Sequence, residues 1–355
     1  MNDCTRRAFL RQVLAGLGLA TGGWLLSACG REEMPLPAAT SAPTLAPASP
    51  TQESPTVAPP SPTTTAEAPT PAPPTTTPSV QPALAPPHLV VARNGDPEEM
   101  VRQAVSALGG MEKFVKPGDN VIIKPNICVA YHTYEYAATT NPWVVAALVK
   151  LVVEAGARRV RVMDYPFGGS AEQAYSTSGI QEQVRSAGGR MEAMAQFKFV
   201  DTSIPEGKDL RQCKIYDDVL NADVLIDVPV AKHHGLARLT LAMKNLMGVI
   251  YDRPAMHRNL GQRLADLTSR VRPTLTVVDA VRMLMDHGPT GGSLDDVKQA
   301  NTVIASPDIV AADSYAATLF GLKPDDLAYI RAGTEMGLGR SDLDNLKIEE
   351  INVGG

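Results

Sequence analysis

The chain predicts an α/β fold, a largely parallel sheet with helices on both faces, preceded by a disordered N-terminal stalk. Three observations carry this. From His88 onward, short β-branched runs alternate with helical patterns. Several of those runs are apolar throughout, as strands covered on both faces must be. Before His88 lies a long stretch of Pro, Thr, Ala and Ser that has too few large apolar side chains to build a core.

The N-terminus reads Thr5-Arg6-Arg7-Ala8-Phe9-Leu10, a charged segment followed by a short, glycine-containing apolar stretch. This pattern predicts a signal peptide over residues 1–29, and the paired arginines before Phe-Leu resemble a twin-arginine (Tat) signal, a Sec-type leader being the alternative. Leu26-Ser27-Ala28-Cys29 resembles a bacterial lipobox, which makes Cys29 the expected lipidation site. Each buried acyl methylene contributes about 0.8 kcal/mol, so a diacylated Cys29 would hold the protein at a membrane. The expected partners are therefore the Tat translocase during export and membrane lipid afterwards. The expected location is extracytoplasmic and lipid-anchored, in the periplasm or at the cell surface. Residues 30–87 form the stalk. Proline at this density favours extended chain of about 3.1 Å per residue, a semi-rigid spacer.

Residues 88–355 are expected to form a single α/β domain. Its strands are predicted at residues 89–92, 121–123, 160–163, 224–230, 275–278 and 303–305. Asn141-Pro142 offers an N-cap followed by proline at the first helical position, and the apolar stripe Val145, Leu148, Val149, Val152 runs to a stop at Gly156. Ser306-Pro307 repeats the device for a helix through Ile309, Asp313, Ala316 and Phe320 that stops at Gly321. A formal net charge of −5 disfavours a nucleic-acid partner. The four cysteines are Cys4, Cys29, Cys128 and Cys213, none in a CxxC pair, so no iron–sulfur cluster is expected from this chain. Whether Cys128 and Cys213 pair is left open.

Polar residues recur where the apolar runs stop. Val121-Ile122-Ile123 is followed by Lys124 and Asn126, residues 160–163 by Asp164, residues 224–230 by Lys232, His233 and His234, and residues 275–278 by Asp279. In a parallel sheet those ends share one edge, where ligands of open α/β folds bind. Lys244 sits among Leu239, Leu241, Met243, Leu246 and Met247, a setting that favours the neutral amine and suits a base or a Schiff-base nucleophile. Asp313 lies on an otherwise apolar helix face and is expected to meet a cation, a backbone donor or a ligand, an internal salt bridge to Lys124 or Lys244 being the plainer alternative. The glycine-rich loop that ends Gly288-Pro289-Thr290-Gly291-Gly292 could bring backbone amides close to an anion, but it matches no nucleotide-binding fingerprint. No HExxH or His-x-His spacing supports a metal site, and none is predicted.

Lys124-Pro125-Asn126, Thr139-Thr140-Asn141-Pro142, Lys232-His233-His234-Gly235, the block from Thr240 through Lys244-Asn245-Leu246-Met247-Gly248, and Gly288-Pro289-Thr290 together resemble the family catalogued as domain of unknown function 362. The likeness runs over residues 88–353. It implies a shared fold and a shared site, and it names no reaction. Some relatives carry a ferredoxin-like cysteine module that this chain lacks. Catalytic roles are expected at Lys244, His234 and Asp279, and ligand binding at Lys124, Asn126, Thr139, Thr140, Asp164, Lys232, Asn245 and Asp313. The cofactor is unknown. Two functions stay open: an enzyme acting on a small carboxylate- or phosphate-bearing ligand, or a tethered solute-binding protein without catalysis. A structural or adhesion protein would leave the clustered lysines unexplained.

Overall fold

The computed structural model describes residues 87–354. The expected signal peptide, the lipidation site Cys29 and the spacer up to residue 86 lie outside the described residues.

Among the described residues twelve strands occur in chain order: β1 (Leu89–Arg93), β2 (Asn120–Pro125), β3 (Arg159–Val162), β4 (Arg190–Met191), β5 (Phe199–Ser203), β6 (Gln212–Tyr216), β7 (Val224–Val228), β8 (Val230–His234), β9 (Arg238–Thr240), β10 (Leu275–Leu284), β11 (Val297–Ser306) and β12 (Ile348–Asn352). The main sheet runs β12-β1-β11-β10-β7-β2-β3-β4, with β8 continuing beside β10 and carrying β9. β10, β7, β2, β3 and β4 are mutually parallel, and β1 is parallel to β12. β11 is antiparallel to both of its neighbours, so it is the reversed strand in a largely parallel sheet. β5 and β6 form a separate antiparallel ribbon.

Nine helices accompany the strands among the described residues: α1 (Pro97–Ala107), α2 (Pro142–Glu154), α3 (Ala171–Thr177), α4 (Ile180–Ser186), α5 (Asp217–Leu220), α6 (Ala242–Asn245), α7 (Leu260–Arg270), α8 (Ile309–Thr318) and α9 (Ala328–Glu335). Side chains alternate across a strand, and here both faces are covered. Val90, Val121, Ile123, Ile226 and Val277 pack with Met100 of α1, Leu148 of α2 and Val184 of α4. Val91, Ile122, Leu225, Val278 and Ile304 pack with Leu264 of α7, Val310 of α8 and Ile330 of α9. Continuous apolar runs are the sequence signature of this two-sided burial.

The α2 punctuation is as the sequence implies. Asn141 accepts a hydrogen bond from the Trp143 amide, Pro142 opens the helix, and Gly156 follows its end with φ 86°. At α8 the cap is Asp308 rather than Ser306: the Asp308 carboxylate accepts from the Ala311 amide at 2.9 Å. Ser306 is the last residue of β11, and its hydroxyl donates to the His88 carbonyl. Proline at 307 therefore sits in the turn before the helix and not at its first position.

Two strand predictions end too early, both for tertiary reasons. The run at 224–230 is split by Pro229, and the chain continues as β8, so Lys232, His233 and His234 lie on a strand instead of in a loop. β10 extends to Leu284 because β11 pairs along nearly its whole length, and Asp279 is therefore an internal strand residue.

Candidate active site

β3, β2, β7 and β10 are adjacent and parallel, so their carboxyl ends reach one edge of the sheet. A cavity of about 550 Å³ opens there, with walls that include Asn126, Cys128, Asp164, Lys232, His234, Thr240, Lys244, Asn245, Arg253 and His257. Five of the predicted side chains form one hydrogen-bonded line across this edge. Lys232 Nζ donates to Asn126 Oδ1 at 2.9 Å, and Asn126 Nδ2 donates to Asn245 Oδ1 at 2.9 Å. Lys124 Nζ donates to the same Asn245 oxygen at 3.0 Å and to Asp164 Oδ1 at 2.8 Å.

Each member of this line has its bonding capacity largely consumed inside the protein. The Lys124 ammonium has three hydrogens and meets three oxygens, the third being the Pro125 carbonyl at 2.8 Å. Lys232 Nζ meets the Ala138 and Pro289 carbonyls at 2.6 and 2.9 Å as well as Asn126, with Cys128 Sγ at 3.3 Å. Burial lowers its pKa, yet the acceptors around it are those of an ammonium. Asp164 also accepts from the Ile127 and Tyr165 amides. Asn245 Nδ2 donates to Asp227 Oδ1 at 2.8 Å, and complete burial drives the Asp227 carboxyl well above the usual carboxylate range. Asn245, held from below, therefore positions both Lys124 and Asn126.

Gly248 is the steric condition for this arrangement. A Cβ there would lie 1.9 Å from Asp164 Oδ1 and 2.6 Å from Lys124 Nζ. The turn that follows α6 can approach the buried ion pair only because residue 248 has no side chain.

Lys244 and His234 differ from the five. Lys244 is 9% exposed, and its Nζ has Met247 Sδ at 3.7 Å as its polar partner. Burial, with the Lys232 and Arg253 charges, pushes it down to about 7. His234 Nδ1 accepts from the Leu236 and Ala237 amides at 3.1 and 3.2 Å. Burial, together with the charges on Lys244 and Lys232, pushes its imidazole down to about 3, so the ring is neutral with its proton on Nε2. It can donate a hydrogen bond to a ligand, and it cannot serve as the base.

Four of the predicted site residues, Asp279, Asp313, Thr139 and Thr140, are corrected, because none of them lines the cavity. Asp279 accepts from the Asn141 amide at 2.6 Å and the Val281 amide at 3.0 Å, which ties β10 to the start of α2, and it does not line the cavity. Burial raises its carboxyl to about 6. Asp313 accepts from the Ala242 and Met243 amides at 2.6 and 3.0 Å, so the backbone donor is its partner, and it pairs with neither lysine. Burial lifts it to about 7. Asp313→Ala would strand two buried amides at the turn that carries Lys244, an expected loss of about 1–3 kcal/mol. Asp313→Asn keeps an acceptor and should lose less, a difference readable from denaturant midpoints. Thr139 and Thr140 also lie behind the wall. Thr140 Oγ1 donates to the Val228 carbonyl and accepts from the Asn126 amide, while Thr139 Oγ1 is buried without a partner.

The glycine-rich loop plays a different part from the one expected. The Gly288 amide is spent on His233 Nδ1, and the loop supplies the Pro289 carbonyl to Lys232 rather than amides to an anion. Cys128 and Cys213 are both free thiols, Cys128 on the cavity wall and Cys213 in β6. Among the described residues no group of three or more His, Cys, Asp or Glu could hold a metal ion.

Sequence reasoning missed Cys128, Thr240, Arg253 and His257. Arg253 stacks on the Tyr165 ring with 4.8 Å to the centroid and donates to the Met247 and Tyr165 carbonyls. The wall thus carries Lys232, Lys244, Arg253 and two histidines against one carboxylate, Asp164, already engaged by Lys124. Tyr165, Phe167, Leu236, Met247 and Pro254 make the rest of it apolar.

A largely parallel sheet bearing a cationic cavity at its carboxyl edge defines an α/β protein of the open-sheet class. Within that class the chain belongs to the family described as Domain of unknown function (DUF362), whose model matches residues 121–318. That segment contains every member of the hydrogen-bonded line. A thylakoid-associated protein of Synechocystis sp. is 26% identical over 253 residues, which span 67% of this chain and 74% of that one. Among solved structures, lactate racemase apoprotein from Thermoanaerobacterium thermosaccharolyticum is similar at a TM-score of 0.41 and 10% identity, over 65% of this chain and 56% of the racemase. A protein from Thermotoga maritima is similar at a TM-score of 0.36 and 12% identity, over 64% of this chain and 60% of that protein. The chain thus spans less than two thirds of either solved structure.

Proposed function

We propose that the cavity binds a small organic anion, a carboxylate or a phosphate ester, and that Lys244 performs chemistry on it. The observation that carries this reading is the contrast among the buried lysines: Lys124 and Lys232 are saturated by protein oxygens, whereas Lys244 faces the cavity with a thioether sulfur as its partner. Lys232 and Arg253 supply positive potential for an anion, and His234 supplies a neutral N–H donor. Phenylacetate, which has a carboxylate on an apolar body, should raise the melting temperature of the full chain. The neutral isostere phenylacetamide should not, and Arg253→Leu should abolish the shift. Equal stabilisation by acid and amide would sink the anion reading.

A second reading is a solute-binding protein without catalysis. The internal saturation of Lys124, Asn126, Asp164 and Lys232 favours it, because a rigid recognition wall needs its groups fixed in advance. The two readings part on the fate of the ligand: a bound solute is recovered unchanged.

The address forms part of the same proposal, and its support is the sequence of residues 1–29 alone. The chain is exported through the Tat translocase and anchored outside the cytoplasmic membrane by acylated Cys29. No helix among the described residues is long and apolar enough to cross a membrane. Cys29→Ser is expected to move the protein from the membrane pellet to the soluble fraction, and unchanged pelleting would remove the acyl anchor from the proposal.

A further inference from the structure

An alkylammonium carries three N–H donors and is costly to bury without acceptors. Lys124 and Lys232 each find at least three oxygens. Lys244, also buried, finds sulfur at 3.7 Å and makes no salt bridge among the described residues. The amine is the form that this setting accepts, and its lone pair is then free for carbon as well as for hydrogen. A second group in the wall is also unspent: Thr240 Oγ1 is buried, lines the cavity and has no hydrogen-bond partner among the described residues. His234, whose Nε2–H is left free by the two amides on Nδ1, lines the same cavity as Lys244 and Thr240 and can donate to a ligand oxygen.

We propose that Lys244 condenses with the carbonyl carbon of a 2-oxo carboxylate that carries an apolar body, giving a protein-bound imine. This deepens the anion-site reading and rests on it: the carboxylate answers the charges of Lys232 and Arg253, and the body answers Tyr165, Phe167 and Leu236. The step balances without an oxidant or reductant. The Lys244 lone pair forms the C–N bond while the carbonyl π pair moves to oxygen, which receives one proton. The resulting carbinolamine loses its hydroxyl as water as nitrogen gives up its second proton and closes the C=N bond. Hydrogen bonds from His234 and Thr240 favour the charge that develops on the carbonyl oxygen.

The test uses the full chain at neutral pH with three related probes and sodium cyanoborohydride, which reduces an imine to a stable secondary amine. Phenylpyruvate has both the carboxylate and the adjacent carbonyl, phenylacetone has the carbonyl alone, and phenylacetate has the carboxylate alone. Peptide mass spectrometry is expected to find phenylpyruvate on Lys244 at about tenfold or more over any exposed lysine, because an ordinary lysine is almost wholly protonated at this pH. Phenylacetone should label Lys244 far less, and excess phenylacetate should protect it. Lys244→Arg should lose the adduct while phenylacetate still raises its melting temperature. Stabilisation by phenylacetate without any adduct at Lys244 overturns the imine and leaves the anion site standing. Labelling that falls on Lys232, or that is spread evenly over surface lysines, overturns the assignment to Lys244. Absence of both stabilisation and adduct overturns the anion site with it.

Discussion

Gly248→Ala is expected to lower the melting temperature by roughly 5–10 °C and to abolish ligand stabilisation, although it adds one methyl group. That methyl would stand 1.9 Å from Asp164 Oδ1, 2.6 Å from Lys124 Nζ and 2.7 Å from Lys124 Cε. All three atoms belong to a buried ion pair whose members are also bonded to Asn245 and to the Ile127 and Tyr165 amides. Either the pair separates or the turn after α6 withdraws. Separating a buried pair costs about 3–5 kcal/mol, and overpacking a tight interior costs about 1–3 kcal/mol. The cheaper route, withdrawal of the turn, also displaces Lys244 from the cavity. Gly235→Ala is the matched control, since a Cβ there meets nothing within 4 Å, and it should change stability by less than about 0.5 kcal/mol. If the two variants melt together, the contact at 248 has no energetic weight.

The second large effect is a pH-dependent gain in stability from Lys244→Met. Lys244 is held at about 7 in the folded protein against an ordinary value of 10.5. The groups that face or influence it are Lys232, Arg253, Cys128, His234, His257 and Asp164, of which Lys232 and Arg253 are the cations that disfavour its charge. Between the two pKa values the unfolded chain binds a proton that the folded chain does not, so the stability of the native protein rises with pH through that window. Below about 7 the folded state carries the full cost of the buried ammonium, on the order of 3–5 kcal/mol. The methionine variant, similar in length and apolar, should therefore be the more stable protein at pH 6. The gap should close as pH approaches 10. Parallel denaturation curves that keep a constant separation from pH 6 to pH 9.5 would show that the amine is not perturbed. The same proton couples to ligand: an anion beside Lys244 draws it toward the charged form, so anion affinity should fall as pH rises above about 7.

Much of the fold was legible because burial on two faces leaves a plain mark. The runs around Val121, Val160, Val224 and Leu275 are apolar at consecutive positions, and those strands are the parallel centre of the sheet. The gathering of Lys124, Asp164 and Lys232 at one edge was legible for the same reason, since parallel strands with polar ends leave no other geometry. What each polar group does was much less legible. Asp279 was expected to be catalytic and Asp313 to bind ligand, yet both accept from backbone amides brought in by the fold, Asp279 from Asn141 as well as from nearby Val281, and Asp313 from Ala242 and Met243. His234 was expected to be catalytic, and only the position of two amides, two and three residues along, fixes its proton on the other nitrogen. β11 reads as one more apolar strand, and nothing in its composition marks it as the reversed one. Arg253 and His257 lie beyond the recognisable block in a stretch of ordinary polarity, so they become visible only when the chain is folded back on itself.

The line of side chains from Lys232 to Asp164 has no partial version. Its five members come from β8, from the end of β2, from the residue after Pro125, from the turn after β3 and from α6, and no two consecutive members of the line are within 100 residues of each other except Lys124 and its acid. A nascent chain that had reached residue 230 would hold the Lys124–Asp164 pair with one side unshielded, and a proteolytic fragment would hold less. The pocket is therefore an all-or-none possession of the finished sheet, and occupancy by a ligand reports that the whole polypeptide from the first helix crossover to the last has reached its native arrangement.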